Sequence, residues 1–171
     1  MNKIEFGWLD KKVIIRVVGK GSFLNSRHLK EGITELLREG YLDITVDLHG
    51  CGGMDSTFIG VLTGITLNMK KKHQQTLCLA NVKKSNIEIL ETLGVLRFFH
   101  ILEEPCSFQT EFESVEELPD DPDGAINQIK LILEAHENLM KVDDRNVERF
   151  KSVKQELEKD LSRRIDQKKK S

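Results

Sequence analysis

Val46-Asp47-Leu48-His49-Gly50-Cys51-Gly52-Gly53-Met54-Asp55-Ser56-Thr57 decides how this chain folds. It opens in an apolar, β-branched run, residues 44–48 (ITVDL), which reads as a strand. Gly50, Gly52 and Gly53 then supply a turn that is free to take positive φ. Asp55-Ser56-Thr57 brings the side chains that cap a helix N-terminus. Beyond them Phe58, Val61, Leu62, Ile65 and Met69 fall on one helical face. Gly60 and Gly64, one turn apart, would let that helix lie close against a neighbour. Lys70-Lys71-Lys72 ends it with charges that suit the helix dipole.

The flanking segments repeat this alternation. Residues 3–6 read as a short strand, and residues 12–18 (KVIIRVV) as a strand buried on both faces. Gly19-Lys20-Gly21-Ser22 interrupts it. Asn25 or Ser26 then caps a helix that places Leu29, Ile33, Leu36 and Leu37 on one face, and Gly40 stops that helix. Downstream, residues 76–80 form a strand. Ser85-Asn86-Ile87-Glu88 is a capping box for a helix that Gly94 ends, and residues 98–102 form a last strand. A second capping box, Ser114 to Glu117, predicts a short further helix. The order β-β-α-β-α-β-α-β predicts an α/β fold: a mixed sheet of four to five strands with helices packed on it.

Pro105, Pro119 and Pro122 are the three prolines, and residues 105–123 carry seven acids and no Lys or Arg. That shift divides the chain into a first domain (1–118), a linker (119–123) and an amphipathic helical segment (124–171). In the last segment Ile126, Ile129, Leu133, Met140, Val147, Phe150, Val153, Leu157, Leu161 and Ile165 trace an apolar stripe. His136 and Asp143 interrupt it where a heptad would want apolar residues. The pattern fits one long helix, or two that break near Val142-Asp143-Asp144. The stripe needs a cover, and the interruptions disfavour a strict parallel coiled coil. The cover can be the first domain, the segment itself as a hairpin, or a second chain; packing on a partner or a second copy, as a homodimer through the C-terminal helix, is favoured, with residues 1–118 folding alone.

Composition narrows the function. The chain has 171 residues, 26 Lys+Arg against 28 Asp+Glu, and a net charge of −2. This near-neutral balance disfavours nucleic-acid binding, and one Trp with one Tyr makes a poor base-stacking platform. Charged residues reach 32% against 39% apolar, as expected when part of the chain is a solvated helix. No run approaches the ~18 apolar residues of a membrane span, and the first residues, MNKIEFGWLDKK, carry no signal-peptide core. Cys51, Cys78 and Cys106 show no paired spacing and read as free thiols in a reducing cytoplasm.

Four chemistries are open to the glycine-rich turn. A phosphate-binding loop needs Lys before Ser/Thr, and Asp55 stands there instead. A nucleophile at Ser56 or Cys51 lacks the G-x-S-x-G elbow and a His at a telling spacing. A metal site has no support from His28, His49, His73, His100 and His136, which lie far apart in sequence. A regulated serine fits: a hydroxyl at a helix N-terminus is fixed in place, and the dipole tolerates a phosphate there. Simple N-capping by Asp55 or Ser56 is the plainer alternative.

Residues 13–23 (VIIRVVGKGSF), 44–62 (ITVDLHGCGGMDSTFIGVL) and 77–101 (LCLANVKKSNIEILETLGVLRFFHI) resemble the STAS family, and its anti-sigma factor antagonists most. In that family a strand ending V-D-L leads into an M-D-S-[ST]-G turn that opens a helix, and a later helix ends in a pattern that Leu90 to Ile101 match. The resemblance covers residues 3–118. It implies a non-catalytic, cofactor-free partner-switching regulator in which Ser56 is phosphorylated by an anti-sigma factor serine kinase, with a serine phosphatase as a further partner. It further implies partner contacts around Asn25, Met54, Asp55, Thr57 and Phe58. Two positions depart from the family: Phe58 replaces its Gly, and Asn25 is the nearest polar residue where the turn after the second strand often carries an acid. The competing readings are a constitutive scaffold that oligomerises through the C-terminal helix, and a nucleotide-binding STAS module.

Overall fold

The computed structural model describes residues 2–114 and 121–171. Strand β1 (Lys3–Leu9) turns at Asp10-Lys11 into β2 (Lys12–Gly21), and the two pair antiparallel along the whole of β1. Helix α1 (Phe23–Arg38) follows. The chain then forms β3 (Asp43–Asp47), β4 (Cys51–Met54), α2 (Ser56–His73), β5 (Cys78–Ala80), α3 (Lys84–Thr92), a 3-10 turn (Leu96–Phe98), β6 (His100–Ile101) and β7 (Phe112–Ser114). Two C-terminal helices, α4 (Gly124–Val142) and α5 (Arg145–Lys170), complete it. The seven-stranded sheet runs β6-β5-β3-β2-β1-β7, with β4 also on β2. The β2–β3, β3–β5 and β5–β6 pairs are parallel, and β7 is antiparallel to β1.

Seven strands exceed the four to five expected, and β4 is the instructive addition. Its Cys-Gly-Gly-Met sequence has little strand propensity. However, β2 is ten residues long while β3 covers only Lys12–Arg16 of it. The far half of β2 would be left with open backbone groups, which the glycine-rich segment satisfies at Gly19, Lys20 and Gly21. The expected turn therefore shrinks to residues 48–50, where Cys51 N–H donates to the Leu48 carbonyl (3.0 Å).

Two helix starts differ from their sequence expectation, and a third expected helix falls mostly outside the described residues. Helix α1 begins at Phe23, so Asn25 and Ser26 lie inside its first turn and Ser22 is the N-cap. Asn25 still works on the cap, because its side-chain oxygen accepts from the Ser22 N–H (2.8 Å). Helix α3 begins at Lys84, which moves Ser85 past the capping position, and the Ser85–Glu88 box does not form. Ser114 ends β7, and the remainder of the expected Ser114–Glu117 helix lies outside the described residues. The expected last strand starts as the 3-10 turn and keeps only His100–Ile101 as strand.

Val13, Ile15 and Val17 of β2 join Ile44 and Val46 of β3 in one apolar cluster with Leu29, Ile33, Phe58, Leu62 and Met69 of α1 and α2. Leu131, Ala135 and Leu139 of α4 and Phe150 of α5 belong to that same cluster. The α4 part of the C-terminal stripe thus finds its cover on the first domain, whereas Val147 and Val153 of α5 stay exposed. The reason is geometric. A Cβ at Gly60 would collide with the Ala135 backbone, and one at Gly64 with the Asn138 amide, so the two glycines open a groove that admits α4 at backbone distance. The helices break at Asp143-Asp144. There the Asp143 carboxylate accepts from the Arg145 backbone N–H (3.0 Å) and pairs with its guanidinium (2.6 Å). These bonds hold the Asp143 carboxyl down at about 2.

Candidate functional site

The starts of α1 and α2 converge at the end of β2. The Asp55 N–H donates to the Gly21 carbonyl (2.9 Å), which ties the start of α2 to the strand. One Asp55 carboxylate oxygen caps α2 by accepting from Phe58 N–H (2.9 Å), and the other accepts from Phe23 N–H of α1 (3.0 Å). A single carboxylate therefore fixes both helix starts. Asn25 supports the same corner: its amide donates to the Lys20 carbonyl (3.0 Å).

Ser56 is the first residue of α2 and is half-buried. Its hydroxyl does not face open solvent alone. His136 of α4 stands over it, with Nε2 3.1 Å from the Ser56 oxygen. The imidazole is buried and stacks on Phe150 of α5 (ring centroids 4.6 Å, 14° between planes). Burial lowers the His136 pKa, and the weaker opposing influence of the Asp55 charge does not reverse this. The ring is accordingly neutral at neutral pH. Its Nδ1 has no partner among the described residues. Around this contact Asn138 donates to the Gly60 carbonyl (3.3 Å), and Arg27 of α1 pairs with Asp121 (3.2 Å).

Of the residues expected to meet a partner, Asp55 and Ser56 are half-buried, whereas Asn25, Met54, Thr57 and Phe58 are buried. Phe58 is fully inside and packs on Gly21, where a Cβ would sit 2.7 Å from its ring. The bulk that replaces the family glycine is core, and it fills the space between α2 and the end of β2. Met54, Thr57 and Asn25 likewise shape the turn from within. The surface beside Asp55 is instead apolar: Phe23 and Leu24 are exposed, Leu24 at 63%. Sequence reasoning missed both as surface residues. It registered His136 only as a break in a stripe, although a polar residue at a core position was the available signal.

The STAS domain family model matches residues 8–111, more than half of the chain, and the chain belongs to that family. The match stops short of α4. Among solved structures, the Thermotoga maritima protein TM1081, assigned as an anti-sigma factor antagonist, superposes with a TM-score of 0.53 at 19% identity. That likeness covers 58% of this chain and 85% of TM1081. The anti-sigma factor antagonist SpoIIAA, in its unphosphorylated form, gives a TM-score of 0.51 at 16% identity, covering 59% of this chain and 89% of SpoIIAA. At these identities the likeness speaks for the fold. A comparison with curated proteins finds no match.

Proposed function

We propose that this STAS protein is a non-catalytic partner-switching regulator acting in the cytoplasm, and that phosphorylation of Ser56 by an anti-sigma factor serine kinase is its switch. The observation that carries the reading is the position of Ser56 at the head of α2, directly after the capping Asp55, in a chain of this family. A phosphate at that point would meet the favourable end of the α2 dipole and the unfavourable charge of Asp55. Its two charges would change how the corner formed by Phe23, Leu24, Asp55 and Ser56 is read by a partner. The Ser56–His136 pair does not argue for hydrolytic chemistry, because among the described residues no carboxylate meets Nδ1 to orient the imidazole as a base.

The experiment is incubation with ATP and the candidate serine kinase encoded nearest the gene, followed by mass-spectrometric mapping. Phosphate on Ser56, and loss of kinase binding in Ser56→Asp but not in Ser56→Ala, is the expected result. In a desolvated contact the added like charge beside Asp55 should weaken binding about 100-fold. A second reading, a constitutive scaffold module, draws on the same hydrogen bond: Ser56 already has an intramolecular partner in His136. Equal kinase binding by wild type, Ser56→Ala and Ser56→Asp would favour it.

A further inference from the structure

The helical hairpin α4–α5 lies outside the residues matched by the STAS model, yet it is packed onto the part of the domain that carries the switch serine. Three observations meet here. The imidazole of His136 occupies the space directly above the Ser56 hydroxyl, at hydrogen-bond distance. Phe150 of α5 backs that imidazole from behind, so the ring cannot move aside without parting from α5. Along α2, Gly60 meets the Ala135 backbone so closely that a methyl group would not fit between the helices, and Gly64 faces the Asn138 amide.

From these we infer that α4–α5 is an intramolecular cover for the switch corner, and that the packed cover and a phosphate on Ser56 exclude one another. The Ser56 oxygen and the imidazole nitrogen stand 3.1 Å apart, so a phosphoryl group on that oxygen would break this hydrogen bond and crowd the ring. Phosphorylation therefore requires α4 to lift, and once present the phosphate keeps it lifted. An enzyme or partner that reaches Ser56 from the α4 side competes with the hairpin for the same face of α2. Among the described residues His136 Nδ1 has no partner, so the hydrogen bond to Ser56 is the one that ties this buried ring in place. The inference rests on the reading of Ser56 as the phosphorylated residue, but it concerns the consequence of the phosphate, whoever installs it.

The test needs no kinase. Phosphoserine is incorporated at position 56 of the full chain by genetic-code expansion, and amide hydrogen exchange is compared with wild type. The wedge variant Gly60→Ala shows how a lifted cover reads, since alanine suits the interior of α2 but collides with Ala135. Phosphoserine and the wedge should each raise exchange in α4 by tenfold or more, with β1, β2 and β3 unchanged. Should Gly60→Ala unsettle the sheet, His136→Ala takes its place as the lifted reference. Wild-type protection of α4 in the phosphoserine chain would overturn the cover. Phosphate that never maps to Ser56 in the kinase experiment would overturn the partner-switching reading, and a lifted cover in the phosphoserine chain would stand apart from that failure.

Discussion

The two C-terminal helices share one apolar stripe, but α4 is mostly apolar and α5 mostly charged, and they are held in different ways. Helix α4 buries Ile129, Leu131, Leu133, Ala135, His136 and Leu139, and it enters the domain core through the Gly60 groove. Helix α5 buries only Asn146 and Phe150, both in its first two turns. Beyond them Val153 is 39% exposed, and the helix is joined to α4 by ion pairs such as Lys154–Glu137 (3.1 Å) and Lys168–Asp123 (2.6 Å). An apolar stripe in sequence therefore states a need for cover without saying how much is supplied. Depth of packing is decided by what the opposite surface offers, and two glycines in α2 offer it to α4 alone.

This contrast can be broken most strongly at Phe150, the one large side chain by which α5 reaches the core. Phe150→Ala should cost about 3 kcal/mol in urea unfolding and should expose His136. A cost below about 1 kcal/mol would place α5 wholly outside the cooperative unit. Next comes Asn146, whose amide donates to the carbonyls of Leu93 (2.9 Å) and Leu139 (2.8 Å) in a fully buried position. Asn146→Ala leaves both carbonyls without that donor and should cost about 2 kcal/mol, with α4 and α3 loosening together in hydrogen exchange.

Protons give a smaller effect. His136 titrates at 6.5 in the unfolded chain and lower when buried in the native one, so the folded state binds fewer protons below pH 6.5. Its contribution is complete above that value and is lost as the pH falls towards the lowered native pKa. Asp55, the charge that influences the ring, works in the opposite direction and only softens the trend. Melting of wild type and His136→Gln across this range should show a steeper acid loss in wild type; parallel curves would refute it. The least effect belongs to the distal half of α5: Lys168→Ala removes an exposed ion pair and should change stability by less than about 0.5 kcal/mol, diminishing further in high salt.

Much of the domain was readable because its signals are local. The β-branched run of β2, Gly40 at positive φ after α1, and the strand–turn–helix at Asp55-Ser56 each carry their instruction within a few residues. The spacing of Gly60 and Gly64 even announced a close neighbour. What stayed hidden depends on distant partners. The segment Cys51–Met54 becomes a strand only because β2 outruns β3. Phe58 turns inward because Gly21 leaves room for its ring. His136 pairs with a residue 80 positions earlier, and no local pattern names that partner.

The elbow between α4 and α5 has a kinetic consequence. Asn146 holds it to the end of α3, Arg97 donates to the Val142 carbonyl (2.8 Å), and Arg149 donates to the Thr92 carbonyl (3.2 Å). These three bonds tether the hairpin at its elbow, and under the cover inferred above they serve as its pivot. A hairpin that swings away on this pivot never dilutes into solution, and its return is a first-order event at high effective concentration. Recovery of the covered form should proceed at a rate that does not change with protein concentration, which an outside competitor for the same surface could not match.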